Sequence, residues 1–105
     1  MRALKTYKTM AEAVEALKRR GFTTNFEWQR AAFRDAASGR SFPAEQLTIV
    51  EHHRFEGSSN PDDMSVLYVI QAQDGTRGTI ADAFGLYANA DLGAFLKRVP
   101  MRENL

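Results

Sequence analysis

Apolar residues follow a helical spacing near both ends of the chain and a strand-like spacing between them. In the first segment, TMAEAVEALKRRGF, Thr9 and Glu12 have the spacing of a capping box, in which each side chain accepts a hydrogen bond from a backbone amide at the helix start. The pattern predicts a helix that begins at Thr9 and ends at Gly21, with Phe22 folded back onto Leu17.

A second helix is predicted close to the C-terminal end of the sequence. Asp91 has a side chain suited to the helix cap, and Pro100 stops the helix because proline has no backbone N–H to donate. Three apolar side chains are expected on one side of this helix: Leu92, Phe95 and Leu96. Residues 101–105 are expected to form a loose tail.

Residues 23–40 carry two competing patterns. Alternating apolar positions favour a strand, while the segment WQRAAFRDAA is rich in helix-forming residues. We predict a strand from Thr23 to Arg30, followed by an irregular or briefly helical stretch from Ala31 to Arg40. The sequence leaves open whether this region is strand or helix.

A long strand from Thr48 to Glu56 is indicated by its β-branched and aromatic residues. Regular alternation would give it two faces, one with Ile49, Glu51, His53 and Phe55 and the other with Val50, His52, Arg54 and Glu56. Because His52 and His53 then point to opposite sides of the sheet, they cannot both bind one ion, and no metal site is predicted.

The segment SVLYVIQAQDGTRGTIADAFG predicts a β-hairpin that turns at its Asp-Gly step. Its first strand is apolar at every position from Val66 to Ile70, so we expect both of its faces to be covered and the strand to be central in the sheet. A two-residue loop would place Asp82 opposite Leu67, whereas a bulge at Gly75 or Gly78 would move Asp82 to the other face. The hairpin register therefore stays open.

The candidate ligand-binding residues are Arg54, Asp82 and Tyr87. On an apolar face Asp82 needs a partner or an open cavity, because a buried unpaired carboxylate costs several kcal/mol. Arg54, from the neighbouring strand, is the expected partner, and Tyr87 follows at the turn between strand and helix. The adjacent Asp62 and Asp63 are expected only to bond nearby turn amides, since the sequence fixes no third oxygen ligand for a cation.

These elements predict an α+β fold: a mainly antiparallel sheet of about four strands with an N-terminal and a C-terminal helix. We expect one domain over residues 1–105. A homodimer is one way to cover the second apolar face of the central strand.

Composition and charge narrow the classes of function. The chain is 44% hydrophobic and has a formal net charge of +1, so no long-range field attracts nucleic acid or membranes. The basic triplet at positions 18–20 would suit a phosphate, but the helix dipole alone favours cations in a last turn. With no cysteine and no apolar run long enough to span a membrane, we expect a cytoplasmic protein.

Two classes of function stay open. The sequence contains no glycine-rich phosphate loop, Walker motif or nucleophile elbow, so no cofactor and no catalytic residue is predicted. The favoured hypothesis is a small non-catalytic module that binds a small molecule or a protein. The alternative is an enzyme or sensor acting on a phosphorylated metabolite, such as a nucleotide or phosphoribosyl pyrophosphate, with Arg54 as anion contact, Asp82 as acid or base, and Tyr87 at the rim.

Three segments, TMAEAVEALKRRGFT, HRFEGSSNPDD and QDGTRGTIADAFGLYAN, resemble a family of small uncharacterised bacterial proteins over most of the chain. The resemblance implies a bacterial source and a compact α+β fold. Some members are named phosphoribosylpyrophosphate synthetase, but this chain lacks that enzyme's motif of two acidic residues before a Thr/Gly-rich loop, because Asp82 stands alone. The resemblance therefore transfers no catalytic residue.

Overall fold

The computed structural model describes residues 7–29, 32–55, 65–83 and 90–102. In this part of the chain, two helices accompany a mixed sheet of six strands, so the α+β class is confirmed. The helices are α1 (Met10–Arg19) and α2 (Ala90–Arg98). The strands are β1 (Thr24–Gln29), β2 (Ala32–Asp35), β3 (Ser41–Phe42), β4 (Leu47–Phe55), β5 (Ser65–Ala72) and β6 (Arg77–Ala83).

Helix α1 begins and ends where the sequence predicts. The Thr9 hydroxyl accepts a hydrogen bond from the Glu12 amide at 3.1 Å, and the Glu12 carboxylate accepts one from the Lys8 amide at 2.9 Å. Gly21 adopts φ 101°, a left-handed conformation that costs glycine little. The next residue folds back over the helix end, where the Phe22 amide donates a hydrogen bond to the Leu17 carbonyl.

The sheet has six strands in the order β3-β2-β1-β6-β5-β4, so the predicted four strands are too few. Its pairs are antiparallel except for β1 and β6, which run parallel where Thr24 lies opposite Gly78. A side chain at Gly78 would overlap the backbone carbonyl of Thr24. The parallel pair therefore depends on a residue without a Cβ atom at this position.

Part of residues 31–40, predicted to be irregular or briefly helical, is a strand. β1 matches its prediction, but Ala32–Asp35 forms β2, which pairs with β1 and buries Phe33 completely. Tertiary packing decides this segment, because the Phe33 ring lies 4.9 Å from that of Phe95 in α2 and 6.0 Å from that of Phe26. Packing of Phe33 in this aromatic core outweighs the helix propensity of the residues around it.

The sheet is strongly curled, because β3 and β4 lie at its two ends although only four residues separate Phe42 from Leu47. Those residues include a short 3-10 helix, Ala44–Gln46, which follows Pro43. The inner face of the curl packs against α2, and the outer face packs against α1. No helix in the described part of the chain is long and apolar enough to cross a membrane.

Strand β5 is an interior strand next to the edge strand β4, and both of its faces are covered, as predicted, within one chain. Ile70 joins the inner core with Phe95 of α2, while Leu67 and Val69 join the outer core with Leu17 of α1. Burying a leucine side chain such as that of Leu17 contributes roughly 1.5–3 kcal/mol. The covering of β5 therefore does not require a second copy of the protein.

The C-terminal segment differs from its prediction at both ends. Helix α2 begins at Ala90, so Asp91 lies inside the first turn instead of capping it. After the helix, the carbonyl of Pro100 accepts a hydrogen bond from the Ile49 amide, and the Arg102 amide donates to the Ile49 carbonyl, each at 2.8 Å. Residues 101 and 102 of the predicted loose tail therefore pair with the edge of β4, whereas residues 103–105 lie outside the described residues.

Candidate functional site

The turn between β5 and β6 determines which face Asp82 occupies. The Gly75 amide donates to the Ala72 carbonyl at 3.0 Å, the Ala72 amide donates to the Thr76 carbonyl at 2.8 Å, and Gly75 adopts φ 95°. A left-handed glycine that follows such a turn forms a bulge and adds a residue to the loop. The two-residue loop is therefore wrong, and Asp82 lies opposite Val66 instead of Leu67.

A second irregularity, in β4, sorts its polar residues between the two faces. Ile49 lies opposite Ile70, but Glu51 lies opposite Val69, so Val50 is an extra residue in the ladder. Ile49 therefore belongs to the inner core, while Val50 packs against the outer core. The predicted grouping of Ile49 with Glu51 is wrong for this reason.

Beyond this bulge, the strand places alternate residues on opposite faces. His53 and Phe55 share the outer face with Glu51, whereas His52 and Arg54 lie on the inner face. The prediction that His52 and His53 point to opposite sides of the sheet is confirmed. In the described residues no group of three histidine or acidic side chains is arranged to hold a metal ion.

Two of the three predicted site residues lie on the same face of three neighbouring strands. Arg54 of β4 and Asp82 of β6 both lie opposite Val66 of β5, so their Cα atoms are two interstrand spacings apart, about 10 Å. Arg54 is exposed, Asp82 is half-buried, and Val66 between them is buried. Tyr87, the third predicted residue, lies outside the described residues.

Tyr68 lies two residues after Val66 on β5, on the same face, and the charges of Arg54 and Asp82 both affect the pKa of its phenol. Burial raises the pKa of the Tyr68 phenol, the negative charge of Asp82 raises it further, and the positive charge of Arg54 acts in the opposite direction. His52 lies opposite Tyr68, and their rings stack with centroids 6.5 Å apart. We call His52, Arg54, Tyr68 and Asp82 the inner cluster.

A second polar cluster joins α1 to the outer face of β4. The Arg20 guanidinium donates two hydrogen bonds to the Glu51 carboxylate, at 2.6 and 3.0 Å, in a bidentate pair. Glu51 Oε2 also lies 2.7 Å from His53 Nε2, and the His53 ring meets the Tyr7 ring edge-on at 5.0 Å. We call Tyr7, Arg20, Glu51 and His53 the outer cluster.

Electrostatics in the outer cluster favour the ionised pair. Burial opposes ionisation of Glu51, but hydrogen bonds from Arg20 and His53 outweigh it and lower the pKa of the carboxyl group. The hydrogen bonds to Glu51 raise the pKa of Arg20 above its ordinary value. The Tyr7 hydroxyl lies close enough to Arg20 to raise that pKa further, although it is buried and has no hydrogen-bond partner of good geometry within the described residues.

The sequence contained a signal for the outer cluster that strict alternation hides. An unbulged strand would put the Glu51 carboxylate on the same apolar face as the fully buried Ile49. A carboxylate on an apolar face is the same unfavourable arrangement that drew attention to Asp82. A bulge between Ile49 and Glu51 avoids it, because it moves Glu51 to the other face. The long-range partners, Arg20 and Tyr7, have no comparable signal, because no spacing in the sequence links them to β4.

Comparison of the chain with protein-family models, with curated proteins and with solved structures gives no match. The resemblance to small bacterial proteins, and the cytoplasmic location that we expect, therefore stay predictions. The inner and outer clusters have to be interpreted from their own chemistry.

Proposed function

We propose that the protein is a small non-catalytic binding module and that its ligand binds at the inner cluster. The observation that supports this proposal is the placement of opposite charges, Arg54 and Asp82, in one row on the same face, with Tyr68 within electrostatic reach of both. Such a surface presents a donor fork, a carboxylate acceptor and a phenol to one ligand.

The inner cluster fits a ligand that has an acidic group and a hydrogen-bond donor group separated by a few bonds. The acidic group would pair with Arg54 and the donor group with Asp82, while the body of the ligand would lie along Tyr68. A small metabolite and an extended peptide segment both offer this combination. The proposal covers both kinds of ligand.

A thermal-shift screen tests the small-molecule form of the proposal. The panel holds amino acids, nucleotides, sugar phosphates and phosphoribosyl pyrophosphate, each with and without Mg²⁺. A ligand that binds only the folded state, at 100 times its dissociation constant, adds about 2.7 kcal/mol, which corresponds to a shift on the order of 10 °C in a domain of this size.

Three variants assign any hit to a site. Arg54→Gln and Asp82→Asn should each remove the shift, whereas Arg34→Gln should keep it, because Arg34 lies on β2 and pairs with Glu27 at 3.2 Å. A shift that survives both inner-cluster variants would show that the ligand binds elsewhere and would overturn the assignment. Chemical conversion of a ligand on incubation with the protein would favour the alternative, an enzyme acting on a phosphorylated metabolite.

A homodimer is the second expectation to be tested on the same sample. Sedimentation equilibrium over a range of protein concentrations gives the molar mass directly. Since both faces of β5 are covered within one chain, a dimer would have to use another surface.

A further inference from the structure

Two guanidinium groups from distant parts of the sequence meet at one ring where α1 ends. The Cζ atom of Arg20 lies 5.7 Å from the centroid of the Phe22 ring, and that of Arg77 lies 5.4 Å from the same centroid. Both distances lie within the range of cation–π attraction. We call Arg20, Phe22 and Arg77 the basic corner.

The fold brings these residues together through two glycines. Gly21 turns the chain sharply after α1, and Gly78 lets β1 approach β6, so that Arg77 at the start of β6 lies beside the helix end. A Cβ atom on Gly21 would lie 3.7 Å from the Arg77 terminal nitrogen. The Arg77 side chain therefore crosses the turn that ends α1.

The charges at this corner do not balance. Arg20 is neutralised by its bidentate pair with Glu51, and Lys18 lies 3.8 Å from Glu15. Within the described residues Arg77 forms no ion pair with a carboxylate, and neither does Arg19 in the last turn of α1. The corner therefore has a positive surplus in a chain whose formal net charge is only +1.

We propose that the basic corner binds the phosphate group of a phosphorylated small molecule, with the Arg77 guanidinium as the principal contact. A guanidinium fork matches two phosphate oxygens, and the Phe22 ring beneath it restricts the side chain before the ligand arrives. The contact is made by side chains, because the carboxyl end of α1 carries a partial negative charge and offers no amide cradle. This site is separate from the inner cluster and does not depend on the function proposed for it.

The ring of Phe22 sets a limit on what the corner recognises. Only 7% of Phe22 is exposed, since the residue packs into the outer core with Leu17. A base or sugar cannot stack on a ring that is covered in this way. Recognition is therefore of the phosphate group itself, and the rest of the ligand is held weakly or elsewhere.

An NMR titration of the full chain with inorganic phosphate tests the proposal. At constant ionic strength, we expect saturable shifts of the Gly21, Phe22 and Gly78 amides and of the Arg77 side-chain Nε–H. In Arg77→Gln the dissociation constant should rise about tenfold, as expected for the loss of a charge-assisted pair of hydrogen bonds.

Two further variants separate a built site from a general charge effect. Arg40→Gln removes an equal charge from a residue that already pairs with Asp74 at 2.8 Å, and it should leave phosphate binding unchanged. Phe22→Leu keeps an apolar side chain in the outer core but removes the ring, and it should weaken binding severalfold. Shifts that follow ionic strength alone, or that persist unchanged in Arg77→Gln, would overturn the proposal.

Discussion

The inner and outer clusters take alternate residues from the same stretch of β4, Glu51 to Arg54, and lie on opposite faces of the sheet. They differ in how far their charged side chains are exposed to solvent. In the outer cluster the carboxylate touches its guanidinium partner at 2.6 Å, and the Glu51 side chain is only 17% exposed. In the inner cluster the opposite charges, Arg54 and Asp82, stand on strands separated by β5. Arg54 is moreover exposed to solvent.

This difference separates a contact that stabilises the fold from a surface that recognises a ligand. Removing one partner of a half-buried carboxylate with three hydrogen bonds strongly lowers the stability of the fold, because the remaining groups stay desolvated. An exposed charge such as that of Arg54 contributes little to stability, because water screens it, and the side chain can exchange water for a ligand. We therefore assign the outer cluster to holding α1 on the sheet and the inner cluster to binding.

The largest expected effect concerns the parallel pairing of β1 with β6, which positions β6 and with it Asp82. Gly78→Ala should lower the free energy of unfolding by about 3 kcal/mol, because the new Cβ atom would overlap the Thr24 carbonyl and force β1 away from β6. Urea denaturation measures the change. The matched control is Gly93→Ala in α2, where a Cβ atom meets nothing within 4 Å and where alanine should add up to about 1 kcal/mol.

If Gly78→Ala were as stable as the parent protein, β1 and β6 would not approach as closely as the structure shows. The position of Asp82 in the inner row would then need revision, while the outer cluster, which does not include β6, would stand. A loss of stability in Gly93→Ala but not in Gly78→Ala would contradict the close contact at Gly78 and the open space at Gly93.

The next effect tests the stabilising role of the outer cluster. Glu51→Gln keeps the shape of the side chain but removes its charge, and it should cost about 2 kcal/mol in the free energy of unfolding. Glu27→Gln is the control, because Glu27 also pairs with an arginine, Arg34, but its side chain is 47% exposed. That exposed pair should contribute less than about 0.5 kcal/mol. Equal effects of the two substitutions would contradict our assignment.

Acid should weaken the outer cluster through Glu51. Its pKa is lowered in the folded protein from the ordinary 4.5, so the unfolded state takes up the proton more readily than the folded state does. The stabilisation from ionised Glu51 is therefore complete above the ordinary value and is lost as the pH falls through the folded value. In urea denaturation, the stability difference between the parent protein and Glu51→Gln should shrink as the pH falls below the ordinary value of 4.5. A difference that stays constant as the pH falls would remove Glu51 as its source.

The smallest expected effect is that of a substitution in the inner cluster. Arg54→Gln should change the free energy of unfolding by less than about 0.5 kcal/mol, because the side chain is exposed. Thermal and urea denaturation both measure it. A loss as large as that of Glu51→Gln would mean that Arg54 also holds the fold together, and the two faces of β4 would then have the same role.

Local signals in the sequence predicted the elements whose form depends on neighbouring residues. The capping box at Thr9 and Glu12, the left-handed Gly21 and the apolar run of β5 each match the structure. The prediction failed at Phe33, where helix-forming neighbours concealed a strand. That residue is fixed by aromatic contacts to Phe26 and Phe95, which the sequence pattern does not reveal.

The candidate site was predictable only in part. The sequence pointed to Arg54 and Asp82 as charged residues next to apolar faces, and the structure places both on the inner face. The Asp-Gly step also allowed a bulge at Gly75 that would move Asp82 to the other face of the sheet, and that bulge is present. The sequence could not connect Arg20 to Glu51, because these residues are far apart in the chain.

The sequence by itself determined the two helices, the apolar strand β5 and the charged residues at the ends of β4 and β6, since spacing, capping and side-chain chemistry act over a few residues. Tertiary structure alone decided the six-strand order, the choice between the hairpin registers that the sequence left open, and the meeting of Arg20 and Arg77 at Phe22. Those features depend on which distant backbones approach each other, and the choice is made by packing over the whole molecule.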